Sequence, residues 1–293
     1  MIRICLFVSL SFIAAAFAVD EPGLKPVFGT QRYVEYIPGE LPLVLSAPHG
    51  GLLKPKSVAD RTYGVVDSDA NTQDLARRIA AEVKKQTGKS LDLVISHLHR
   101  SKLDPNREIK EAAQGDKTAE KIWQEYHSYI EQALKTSVAR HRRVFFIDLH
   151  GQNHKDIRVE LGYMHRVTDL AKPIAEINSA EFIKTGSIRL LTQLNPSVPY
   201  ADLLFGPESL GAMLEQRGFQ ATPSPRMVVP TEPYFRGGYT VDRHVNAAAN
   251  VAGLQIEANR IRLRDSPENR QKFAEVLVQT LRIYIPKWLK VEL

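Results

Sequence analysis

The chain has 293 residues, 43% of them hydrophobic and 25% charged, long enough to bury a core without covalent staples. Cys5 is the only cysteine, which excludes a disulfide framework. The formal net charge of +6 is spread along the sequence and shows no nucleic-acid signature beyond mild basicity, so no nucleic-acid partner is expected.

Arg3 precedes an apolar run from Ile4 to Ala18 that closes on Ala16-Phe17-Ala18, a small-x-small pattern before the polar Val19-Asp20. It reads as a secretory signal peptide over residues 1–18, leaving one domain over 19–293 that works outside the cytosol, extracellular or periplasmic. The run is shorter than the roughly 20 residues that span a bilayer, and no later stretch is long and apolar enough to do so.

Leu43–Ala47 is an apolar run that delivers Pro48-His49-Gly50-Gly51 to a turn, a common way for an α/β protein to present a metal ligand at the edge of its sheet. Asp67-Ser68-Asp69 comes before a helix predicted over 70–87, whose inward stripe is Leu75, Ile79 and Val83. A strand over 91–96 leads through His97-Leu98-His99 into Arg100-Ser101-Lys102-Leu103-Asp104-Pro105-Asn106-Arg107. Two arginines and an asparagine there suit a carboxylate, while a turn in which Asp104 neutralises Arg107 accounts for the same residues. The next helix, over 116–138, carries Tyr126-His127 between Trp123 and Ile130, and Arg140-His141-Arg142-Arg143 suits its C-terminal end.

Val144–Leu149 is a second apolar strand that delivers a histidine, in Asp148-Leu149-His150-Gly151. A strand over 159–163 and a helix over 207–217 follow. The stretch 220–240 has no period and reads as a long loop over a site, with Gly237-Gly238-Tyr239 as a lid and Arg158 and Arg236 adding positive charge to the pocket. Over 253–257, alternation sets Leu254 and Ile256 against Gln255 and Glu257, a half-buried strand with Glu257 at its end. Ser266-Pro267-Glu268 opens a final helix, 266–285, with Phe273, Leu277 and Leu281 inward. Strands alternating with helices imply a single α/β domain.

Hydrolytic zinc takes three protein ligands and a water. His49 and His150 fit by position, and the third ligand is Asp67 or Asp69. Asp69 is preferred because it stands next to the helix, although a plain capping role explains it as well. Glu257 is a carboxylate of the kind that moves a proton from water to a leaving nitrogen. His97, His99, His141, His154 and His165 read as structural.

Taken in order over about residues 40–280, Pro48-His49-Gly50-Gly51, Asp69, Arg100 with Asp104-x-Asn106-Arg107, Tyr126-His127, Asp148-Leu149-His150-Gly151, Gly237-Gly238-Tyr239-Thr240 and Gln255-Ile256-Glu257 resemble the N-formylglutamate amidohydrolase family. The resemblance implies a zinc exopeptidase-like (phosphorylase/hydrolase-like) α/β fold, a central mixed and mostly parallel sheet flanked by helices. It implies zinc on His49, Asp69 and His150, Glu257 as general base, and Arg107 with Arg100 and Asn106 on a substrate carboxylate. In the related zinc carboxypeptidases a ligand glutamate follows the first histidine by three places. Here that place is Leu52, which leaves the role to Asp69. The implied activity is cleavage of a C–N amide bond in an N-acyl amino acid, N-formylglutamate-like, or in a peptide end bearing a carboxylate. A secreted protein that keeps the fold without turnover and binds a ligand or matrix is the alternative.

Overall fold

The computed structural model describes residues 25–246 and 249–293, so the leader read over 1–18 lies outside the described residues. Eight strands form one sheet: β1 (Val27–Phe28), β2 (Val34–Ile37), β3 (Leu43–Ala47), β4 (Asp92–Ser96), β5 (Val144–Gln152), β6 (Val159–Gly162), β7 (Ala221–Thr222) and β8 (Val251–Asn259). Their order is β1-β2-β4-β3-β5-β8-β6-β7. β4, β3, β5 and β8 run parallel, and β2 and β6 flank them antiparallel. This is the mixed α/β sheet the sequence predicts.

Parallel strands at the centre of a sheet are covered on both faces and must be apolar on both. Leu43, Leu45, Phe145, Ile147, Leu149, Leu254 and Ile256 pack with α1 (Thr72–Thr87) and α3 (Pro267–Leu289) on one face. Val44, Val94, Val144 and Phe146 pack with α2 (Lys117–His141) on the other. Alternation carries Ser46, Asp148, His150, Gln255, Glu257 and Glu160 to this α2 side as well. The register sets His150 opposite Glu257, and Glu257 opposite Glu160, in one row across three strands.

Two expectations change here. His150 and Glu257 lie inside their strands, because β5 runs on to Gln152 and β8 to Asn259. All nine residues of β8 are buried, whereas the alternation predicts a half-buried strand. The ladder continues past the polar row because covered backbone N–H and C=O groups need partners.

The long helices start where their caps stand. Asp116 accepts from Ala119 N–H at α2, and Ser266 accepts from Asn269 N–H at α3, with Pro267 in the first turn. Helix 207–217 shortens to Leu210–Glu215. The short helices Val167–Leu170, Ile174–Ile177, Ala180–Lys184, Arg189–Leu194 and Tyr200–Phe205 escape sequence reading, being too short to show a period, as do β1, β2 and β7. No helix of the described residues is long and apolar enough to cross a membrane.

Candidate metal centre and active site

His49 stands two residues past β3. The Asp69 N–H donates to its carbonyl (3.0 Å), and the Asp69 carbonyl in turn accepts from the Thr72 N–H and hydroxyl at the start of α1. Asn71 occupies the cap position, so the Asp69 carboxylate is not a helix cap; its Oδ2 accepts from the Gly151 N–H (3.1 Å) and faces the histidines. Its Oδ2 lies 3.3 Å from Nδ1 of both His49 and His150, and the ligand atoms of the three residues lie within 4.8 Å of one another. Among the described residues no other group of this kind occurs, and Asp67 is not part of it.

Each histidine is braced from behind. His49 Nε2 lies 2.6 Å from Asp104 Oδ1, and His150 Nε2 lies 2.8 Å from Asp148 Oδ2. Because a carboxylate only accepts, Nε2 carries the proton in both rings and Nδ1 is the atom turned to Asp69. Asp148 accepts from the Ser46 hydroxyl (2.6 Å), and Asp104 from Arg100 Nε (2.8 Å) and the Asn106 N–H (3.0 Å). Burial opposes charge on His150, but Asp148 and Asp69 outweigh it and hold its pKa well above the ordinary value. Asp69 is held well below its own value despite burial, chiefly by His49 and His150. The buried His49 Nδ1 has no hydrogen-bond partner among the described residues. Two carboxylate-braced imidazoles, one carboxylate and an unsatisfied ring nitrogen make a donor set that fits zinc.

Glu257 adjoins this group through the β5–β8 register. Gln255 Nε2 donates to its Oε1 (2.6 Å), and its buried Oε2 has no hydrogen-bond partner among the described residues. Burial raises Glu257 to about 8, against the pull of His150 and helped by Asp69 and Glu160. A cavity of about 130 Å³ joins the His49, Asp69 and His150 group to Glu257, with Arg100, Arg107, Phe235 and Gly238 in its wall.

The arginines divide the work differently from the sequence reading. Arg100 spends Nε on Asp104, and its Nη1 lies 3.8 Å from Asp69, so it neutralises the ligand set. Arg107 gives Nη1 to the Asn106 carbonyl and Nε to Glu111, is partly exposed, and keeps Nη2 clear of any hydrogen bond among the described residues. Asn106 is held by the Thr240 N–H, which donates to its Oδ1 (2.9 Å), and a side chain at Gly238 would collide with its amide. Arg158, expected in the pocket, is buried at 1% exposure and lies outside the cavity wall. It donates to Glu160 and to the carbonyls of Thr231 and Pro233, tying the loop down where a substrate role was expected. Tyr239 is likewise outside the wall, packed on His127 and Trp123, while Gly238 is in it.

His127 Nε2 donates to the Pro105 carbonyl (3.0 Å), so its Nδ1 accepts from His244 Nε2 (2.8 Å). Burial pushes His127 to about 2 and His244 to about 3, and the neutral pair props the turn between Asp104 and Asn106. Sequence reasoning missed the roles of Asp148 and Gln255, although each stands two residues before a site residue and shares its strand face. The bond from Asp104 to His49 spans 55 residues and has no local signal.

No protein-family model matches the chain, and a search of curated proteins finds no match. Among solved structures it is similar to the N-formylglutamate amidohydrolase from Ralstonia eutropha, with a TM-score of 0.53 and 15% identity over 86% of this chain and 96% of that one. It is also similar to a gene product from Agrobacterium tumefaciens, with a TM-score of 0.55 and 12% identity over 87% and 95%. At such identities the likeness establishes a shared fold: this chain has the α/β architecture of those two proteins.

Proposed function

We propose that the protein is a zinc-dependent hydrolase that cleaves the C–N amide bond of a small N-acyl amino acid, or of a peptide end, bearing a carboxylate. The observation that carries this reading is the convergence of His49, Asp69 and His150, each imidazole braced by a carboxylate, beside an unpartnered Glu257 oxygen. That an N-formylglutamate amidohydrolase shares the fold agrees with it. His49, Asp69 and His150 would hold the zinc, which supplies Lewis acidity that lowers the pKa of water and polarises a carbonyl.

The remaining chemistry belongs to the chain. Arg107 presents Nη2 to the substrate carboxylate, a charge-assisted contact that fixes the amino-acid half. In its ionised form, which a bound cation beside it would favour against burial, Glu257 takes a proton on Oε2 from the attacking water and returns it to the nitrogen as the C–N bond breaks, giving a carboxylic acid and a free amine. Gln255 keeps the other carboxylate oxygen in place during both transfers. The apolar run Ile4–Ala18 supports the further reading that the protein is secreted.

The test compares wild type with Glu257→Gln for zinc content and for hydrolysis of a panel of N-acyl amino acids. Both are expected to hold equimolar zinc, with turnover lower by about 10²–10⁴-fold in the variant. Wild-type turnover in the variant, or no zinc uptake by wild type, would overturn the assignment. Zinc without hydrolysis of any panel member would favour a binding protein.

A further inference from the structure

Among the residues that line the site cavity, Phe235 contributes the one purely hydrocarbon side chain, against histidines, carboxylates, arginines, amides and glycines. Phe235 is 44% exposed, so burial does not explain its position. The backbone does. Phe235 N–H donates to Glu160 Oε2 (2.9 Å), the Tyr234 hydroxyl to the Leu161 carbonyl (2.7 Å) and Arg236 Nη1 to the Met164 carbonyl (2.9 Å). The ring leans on His154 with centroids 4.9 Å apart. An apolar surface held rigidly at a polar cavity is pre-organised to contact something other than the protein.

Strand order says which part of a substrate that is. Arg100 and Arg107 follow β4, His49 follows β3, His150 lies on β5 and Glu257 on β8, while the Glu160 that pins Phe235 lies on β6. Arg100, bonded to the Asp104 that braces His49, and Phe235, bonded to Glu160 on β6, therefore stand on opposite flanks of the candidate metal ligands, with Arg107 in the same cavity wall. With the carboxylate of the amino-acid half at Arg107 and the scissile carbonyl between, the acyl substituent extends toward Phe235.

We infer that Phe235 is a specificity-determining residue that selects an acyl group with an apolar substituent, so that the substrate class is N-acyl amino acids with a short alkyl or aryl acyl chain rather than the one-carbon formyl group. This rests on the carboxylate and carbonyl placement proposed above. A formyl hydrogen offers the ring nothing to cover, whereas each methylene it shields adds binding.

The test uses chelated, metal-free protein, in which a substrate binds without turning over. Calorimetric titration with N-formyl-L-glutamate and N-butyryl-L-glutamate is expected to show the butyryl compound binding about tenfold more tightly. That gap should vanish in Phe235→Ala and persist in Phe235→Leu, and the same order should appear in kcat/KM once zinc is restored. Equal affinities in wild type, or a gap that survives Phe235→Ala, would overturn the inference and leave the hydrolase reading standing. Binding of neither compound would overturn both.

Discussion

His150 and Glu257 face each other on β5 and β8 across nine consecutive register pairs, whereas Phe235 and Gly238 stand on a segment with no ladder of its own. The first pair is placed by backbone hydrogen bonds that every neighbouring residue shares, so no single side chain decides where it sits. The second is placed by a few individual anchors: Arg158 on the Thr231 and Pro233 carbonyls, Glu160 on the Phe235 N–H, and Asn106 on the Thr240 N–H. On the proposed reading, His150 and Glu257 are on the ladder, His49 and Asp69 stand just beyond it, and the part proposed to shape the substrate is on the loop.

His150→Ala strikes the ladder side hardest. It removes a candidate ligand without moving β5, so zinc should be absent from the purified variant by mass spectrometry while circular dichroism stays native. Retained equimolar zinc would remove His150 from the donor set.

Arg158→Met tests the loop side. It leaves Glu160 buried beside His154 without its guanidinium, and it frees the carbonyls of Thr231 and Pro233. Stability should fall by about 3 kcal/mol in urea denaturation. Substrate KM should rise while zinc content holds, because none of the Arg158 partners is a candidate metal ligand. Loss of zinc in this variant would erase the proposed separation.

Asp104→Asn lies between the two regions, since Asp104 braces His49 and also takes the Asn106 N–H and Arg100. Zinc affinity measured against a competing chelator should drop about 10–100-fold, with the fold intact. An unchanged affinity would make the Asp104–His49 bond dispensable for the metal.

The smallest effect is expected far from the site, at Glu35 on β2, which receives His97 Nε2 (3.0 Å) and an ion pair from Arg77. Burial raises its pKa, but the hydrogen bonds from His97 and Arg77 reverse this and bring it to about 2. A depressed carboxylate stabilises the fold above its unfolded value, near 4.5, and loses that contribution as pH falls toward about 2. Glu35→Gln should therefore cost about 1 kcal/mol at pH 7, with the gap to wild type closing between about pH 4.5 and 2. Denaturant titrations at pH 7 and pH 3 check it, and a gap independent of pH would discard the ion pair as its source.

Much of the ladder side was legible in the residues. Two apolar runs ending in His49 and His150, and the Gln255-Ile256-Glu257 alternation, state a sheet, its faces and three polar positions, because period two needs only neighbours in sequence. Asp69 was separable from Asp67 only in space, where its backbone is tied to His49 and to the first turn of α1. The loop side misled. Arg158 looks like a pocket cation in sequence and is a buried anchor in the fold, since its partners lie 73 and 75 residues away.

By itself, then, the sequence determined the central strands, the long helices and the residue types of a candidate metal site, since these follow from local periodicity and from which side chains can ligate. Tertiary structure alone decided that Asp104 and Asp148 orient the two imidazoles, that Arg100 serves the ligand set while Arg107 stays available, and that Phe235 is the apolar wall. Each depends on strand order and register, which bring residues far apart in the chain to hydrogen-bond distance and leave no periodic trace in the sequence.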